Sequence, residues 1–155
     1  MEANSIEFMR IALAIIYIWF GVLKIFGISP ATDLVARTVY WFEPEFFIPI
    51  LGVFELIIGI GLFIKRLVPV AITVLLLHML TTISPFFILQ STCFKVFPFE
   101  PTLEGQYIIK NLVLVGGALI IAGKYNEAYF TEMNLKKNQS KFIKKASTKT
   151  EFITE

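Results

Sequence analysis

Four long apolar stretches, each with few or no charges and each about the length that crosses a hydrocarbon core, constrain this chain more than any other feature. A backbone in lipid must satisfy its own N–H and C=O groups, so uninterrupted apolar runs fold as helices, and the polar alternation of an outer-membrane barrel strand is absent. The spans read as 8–26, 46–64, 68–89 and 107–122. The predicted architecture is an all-α membrane protein, a four-helix transmembrane bundle over 1–125, with a polar, Lys-rich tail over 126–155 that reads as mobile. Composition agrees, since 17% charged residues fall well below the roughly 25% of a soluble domain. The same numbers exclude a disordered chain, and a single cysteine excludes a disulfide scaffold. A net charge of +2, with the lysines gathered in the tail, calls for no nucleic-acid partner. Glu2 and Glu7 precede the first span and no small-residue cleavage site follows it, so it reads as a retained span and not a signal peptide.

Positive charge sets the expected orientation. Arg10, Lys65, Arg66 and seven lysines from Lys124 to Lys149 flank one side, whereas Arg37 and Lys95 flank the other. The positive-inside rule therefore places both termini in the cytoplasm. In the first outer connection, Ser29 and Pro30 precede Ala31, Leu34, Val35, Thr38, Val39 and Phe42, the pattern of a capped short helix lying along the interface with Trp41 as anchor. The second outer connection, 90–106, with Pro98, Pro101 and Gly105, reads as an irregular cap. Only Lys65, Arg66 and Leu67 join the second and third spans, which makes those helices antiparallel neighbours.

Ionisable groups inside a membrane cost roughly 2.5–3.5 kcal/mol each at mid-helix, so each is a candidate for function. Glu55 lies mid-way along the second span, with Gly52 and Gly59 at i−3 and i+4 on its face. His78 lies at a similar depth on the third, and Thr81, Thr82 and Pro85 continue its stripe at i+3, i+4 and i+7. Counted at the helical rise, Glu55 and His78 lie about 13.5 and about 15 Å from the inner boundary. A carboxylate and an imidazole sharing a level can pair and pass a proton, or can serve as hydrogen-bonded glue between helices. On the first span Arg10, Ala14, Tyr17, Gly21 and Lys24 share a face, which puts Lys24 at the outer end of a small, polar stripe. Lys110 and Asn111 occupy the same outer third on the fourth. Converging lysines would line an outward-facing cavity suited to a small anion or to the carbonyl oxygens of a quinone, while snorkelling to headgroups is the alternative for Lys110. A Lys24–Glu55 salt bridge stays open, because their depths differ by about 10 Å on the same count. Gly59, Gly61, Gly116 and Gly117 read as small-residue helix contacts.

Much chemistry is missing. Cys93 stands alone, so disulfide exchange within the chain is excluded; one histidine cannot supply bis-histidine haem ligation; and no phosphate loop, nucleophile elbow or dinucleotide fingerprint is present. No metal is expected. Most of the 16 phenylalanines read as lipid-facing belt.

The runs Phe20-Gly21-Val22-Leu23-Lys24-Ile25-Phe26, Phe54-Glu55-Leu56-Ile57-Ile58-Gly59-Ile60-Gly61-Leu62 and Glu104-Gly105-Gln106-Tyr107-Ile108-Ile109-Lys110-Asn111-Leu112 resemble the DoxX-like family of small bacterial membrane proteins, in its branch with a G-x-x-K first span. The resemblance extends roughly from Arg10 to Gly123. It implies a four-helix bundle in the bacterial cytoplasmic membrane linked to redox or sulfur metabolism, the family being named for a subunit of a thiosulfate:quinone oxidoreductase. Gly21, Lys24, Glu55, Gly59, Lys110 and Asn111 carry the family pattern; His78 and Cys93 do not. The leading expectation is a redox-associated subunit that binds a quinone or small anion, with Lys24, Lys110, Asn111, Tyr17, Thr81 and Thr82 around the ligand and Glu55 with His78 handling a proton. No redox centre lies within the chain, so a protein partner or bound cofactor would supply electrons. The alternatives are a non-catalytic scaffold or assembly factor for a partner protein, and a small weak-acid carrier; a protein partner or a homo-oligomer is expected.

Overall fold

The computed structural model describes residues 2–151, so Met1 and the last four residues of the expected tail lie outside the described residues. Two compact units divide after Ala122. In the first, α1 (Glu2–Ile25), α3 (Pro44–Phe63) and α4 (Val68–Thr82) are apolar helices whose interiors carry few ionisable residues, chiefly Arg10, Glu55 and His78. Together with the segment that opens at Leu103 they supply four spans long and apolar enough to cross a membrane. The chain is an all-α membrane protein apart from one small hairpin.

Each boundary has a local cause. Gly27 ends α1 by adopting φ +70, which lets the Ile28 and Gly27 amides close back onto Leu23 and Lys24 carbonyls. Pro44 opens α3 at a position where its missing N–H costs nothing. A single 3-10 turn, Lys65–Leu67, returns the chain into α4. Within the expected third span α4 stops at Thr82, and Pro85 opens a separate turn, α5 (Pro85–Ile88), because proline cannot donate to the preceding helix; the stretch Lys65–Ile88 as a whole remains long and apolar enough to cross a membrane. Pro85 therefore does not sit on the stripe of α4 as its i+7 residue.

The outer connections also differ from expectation. The first holds α2 (Thr32–Thr38), which starts two residues after Pro30 and has no side-chain cap; Ser29 instead accepts the Ala31 amide at 3.3 Å. Val39 and Phe42 lie beyond its end. The second is more regular than its prolines suggested, with α6 (Gln90–Cys93) followed by an antiparallel pair, β1 (Phe94–Val96) and β2 (Glu100–Pro101). Cys93, Phe94 and Ile108 form a small buried cluster there against Leu34 and Phe86. Thr102 then accepts the Gly105 amide and starts α7 (Leu103–Ile109) four residues earlier than the expected fourth span. A break at Lys110 separates it from α8 (Asn111–Glu151). Beyond Gly123 the described chain is helical, in keeping with a segment rich in Lys and free of Pro and Gly.

Lipid offers helices no hydrophobic incentive to associate, so close backbone packing and polar contacts must hold them. Exposed Phe8, Trp19, Phe46, Ile57, Leu77 and Leu80 form the lipid-facing surface. The tight contact is α1 on α3. A Cβ on Gly21 would lie 2.6 Å from the Gly52 carbonyl oxygen, one on Gly52 would lie 2.7 Å from that of Gly21, and one on Gly59 would lie 2.9 Å from that of Ala14. Arg10 secures the end of the bundle nearer the N-terminus, donating to the carbonyls of Leu62 and Phe63 at the end of α3 while pairing with Glu7 at 2.6 Å. Gly117 packs on Met9 and Leu13, whereas Gly116 meets nothing within 4 Å among the described residues, against its expected packing role.

Candidate functional site

The glycine contacts fix the relative height of α1 and α3, and that height builds the site. With Gly59 beside Ala14 and Ile18, and Gly21 between Gly52 and Leu56, Lys24 lies level with Gly52, about 4.5 Å along the axis from the level of Glu55. A lysine side chain covers that distance. Lys24 Nζ pairs with Glu55 Oε2 at 2.5 Å, and both side chains are 8% exposed. The larger depth difference read from the sequence assumed that both helices start from one plane; the packing shifts them by about one turn. Lys24 therefore points inward to Glu55 and does not snorkel outward.

Glu55 has a second partner. Its Oε1 lies 3.5 Å from His78 Nε2, and His78 Nδ1 lies 3.5 Å from the Tyr17 hydroxyl. The set is mutually satisfied when the imidazole carries its proton on Nε2, toward the carboxylate, and accepts the Tyr17 hydroxyl at Nδ1. Lys24, Glu55, His78 and Tyr17 thus form a continuous polar chain across α1, α3 and α4, each member buried. Edge-on Tyr17 and tilted Phe54, both 5.9 Å from the imidazole centroid, hold the ring. No buried side-chain nitrogen or oxygen among the described residues lacks a partner.

A cavity of about 650 Å³ opens above this chain. Its volume falls in the roughly 300–1,000 Å³ range of small-molecule sites. Tyr17, Lys24, Glu55 and His78 line it, and so do Thr81, Thr82, Lys110 and Asn111. The rest is largely apolar, including Phe20, Leu34, Val35, Trp41, Phe42, Phe47 and Leu51. Thr81 and Thr82 present their oxygens with their protons committed, donating to the His78 and Met79 carbonyls at 2.7 and 2.8 Å. Asn111 donates to Thr82 Oγ1 at 3.4 Å and ties α8 to the end of α4. Lys110 is exposed and lies 3.8 Å over the Tyr107 ring. Positive charge at the cavity accordingly reduces to Lys110, since Lys24 is neutralised by Glu55.

Sequence reasoning did not anticipate that α2 covers the cavity. Leu34, Val35 and Thr38 contribute to the wall, and Arg37 donates to Thr92 at 3.0 Å, fastening α2 to α6. The apolar spacing of Ala31, Leu34, Val35 and Thr38 carried that signal. Cys93 is fully buried in the neighbouring outer cap, where burial and, secondarily, the Glu104 charge push its thiol pKa up. No group of three or more His, Cys, Asp or Glu among the described residues is placed to hold a metal ion.

A family model described as DoxX matches residues 5–90, more than half of the chain, and takes in Tyr17, Gly21, Lys24, Glu55 and His78. The chain belongs to the DoxX family. Lys110 and Asn111 lie outside the matched segment of this DoxX protein, so their place at the cavity rests on the geometry alone. No curated protein and no solved structure matches the chain.

Proposed function

We propose that this DoxX protein is a redox-associated membrane subunit that binds a quinone or quinone-like lipid in the cavity above the Lys24–Glu55–His78–Tyr17 chain. The observation that carries the reading is the combination of an apolar cavity large enough for a ring and part of a tail with one buried, ionisable polar chain at its floor. Reducing a quinone to a quinol takes up one proton for each electron, and Glu55 with His78 supplies groups that hold and pass protons. Tyr17 and Lys24 would meet the ring oxygens, and Thr81, Thr82, Lys110 and Asn111 would orient its edge. Electrons come from a partner subunit or its cofactor. A small inorganic anion is the weaker ligand, because Lys24 is already paired.

The positive-inside count supports cytoplasmic termini in a bacterial cytoplasmic membrane, with the Lys-rich tail from 126 drawn to anionic lipid. A scaffold reading is favoured by one observation: every described buried polar side chain is satisfied without a ligand. Quinone titration separates the two, read through Trp41 fluorescence in a Trp19→Phe background. A hydrogen bond from a charged donor contributes about 1.5 kcal/mol, so Lys24→Met, which removes the ammonium from the ring oxygen, is expected to raise Kd by about tenfold. Wild-type protein that shows no saturable quenching sinks the quinone reading and leaves the scaffold.

A further inference from the structure

Resting on that reading of the cavity, we infer that its ligand arrives sideways from the outer half of the bilayer, through a cleft between α1 and α8, and is therefore a long-tailed amphiphile and not a water-borne molecule. Contact between these helices is made low in the bundle, where Gly117 seats on Met9 and Leu13. The helices run in opposite senses, so this contact places Leu114 level with Ile16, and Lys110 and Tyr107 level with Phe20. All five line the cavity, which means that the cavity, and not side-chain packing, separates α1 from α8 over the outer half. Phe20 and Tyr107 line the cavity and are 40% and 53% exposed, which makes them edges of an opening on this side.

Two other approaches are obstructed. From the water side, α2 is fastened by Arg37 to Thr92 and by Leu34 to the Cys93 cluster. From below, the Gly21, Gly52 and Gly59 contacts leave no room between α1 and α3. The cleft is apolar along its length and carries Lys110, stacked on Tyr107, at its outer rim, at the height where a cation meets headgroups. An amphiphile can thus slide its polar head inward to the Glu55 chain while its tail stays in the cleft, without desolvating through the α2 lid.

The test uses the full-length protein in lipid nanodiscs and a decyl-tailed benzoquinone bearing a diazirine at the tail end, with adducts mapped by mass spectrometry. Adducts on Ile16, Phe20 and Leu114 are expected, Leu114→Trp should lower them several-fold by filling the cleft, and Phe20→Ala should speed labelling by widening it. Adducts on Leu34 and Val35 of α2, unchanged by either substitution, overturn the sideways route. A tail-free benzoquinone, followed by Trp41 quenching in the Trp19→Phe background, keeps the two claims apart. Its Lys24-dependent binding together with α2 adducts refutes the route alone, whereas no binding of either probe to the wild type refutes the cavity reading and the route with it.

Discussion

Removing one member of the Lys24–Glu55 pair and then both is the perturbation whose outcome the structure determines most closely. The charges are 2.5 Å apart, and Coulomb attraction at an effective dielectric constant of about 20 gives about 7 kcal/mol gross. Desolvating two ions takes back several kcal/mol each, so the pair itself adds little net stability. Breaking it is different, because the surviving charge stays buried without compensation. Glu55→Gln leaves the Lys24 ammonium facing a neutral amide, and a loss of about 3–5 kcal/mol is expected. Lys24→Met should cost toward the lower end of that range, since Glu55 keeps its 3.5 Å contact to His78. The double variant Lys24→Met with Glu55→Gln removes both charges and should recover most of the loss, ending well short of the sum of the two single losses. Unfolding in mixed micelles by SDS titration, followed by circular dichroism, measures all four proteins. If the double variant loses the sum of the two single losses, the residues are not coupled and the pair does not organise the site.

Gly52→Ala places a methyl 2.7 Å from the Gly21 carbonyl oxygen and 2.9 Å from Lys24 Cβ, so about 1–3 kcal/mol should be lost in the same titration, while Gly116→Ala, in open space, should cost nothing. Arg10→Met strips the end of α3 of the donor to the Leu62 and Phe63 carbonyls and should lower stability by about 1–3 kcal/mol, read as a lower melting temperature in detergent. Cys93 should react with maleimide far more slowly in folded protein than in denatured protein at neutral pH. Its raised pKa keeps the thiol protonated, so the folded rate should climb with pH only above the ordinary thiol range, and equal rates in the two states at pH 7 would show that the outer cap is open.

The spans were legible because membrane helices are written in long apolar runs, and the glycines of α1 and α3 because small residues there can only serve close approach. Depth counting brought Glu55 and His78 to one level, and they are in contact, because a three-residue turn gives α3 and α4 a common origin. The same counting misjudged Lys24. Nothing ties α1 to the origin of α3 except packing, and Gly21 against Gly52 sets an offset that no span boundary records. Pro85 carried a visible signal to stop α4, yet continuous hydrophobicity through Leu89 concealed it. The helical spacing in the first outer connection was readable, but its seat over the cavity depends on Arg37 meeting Thr92 and Leu34 packing on the Cys93 cluster, contacts between segments far apart in sequence. Gly116 and Gly117 look alike as letters, and one helical step separates the contact face from open space.

Native mass spectrometry of the detergent-purified protein, with extraction of what travels with it, tests the central claim most directly. The account expects a stoichiometric quinone on the wild type, lost from Glu55→Gln while the variant remains folded. Phospholipid alone on both proteins, at equal thermal stability, would contradict it.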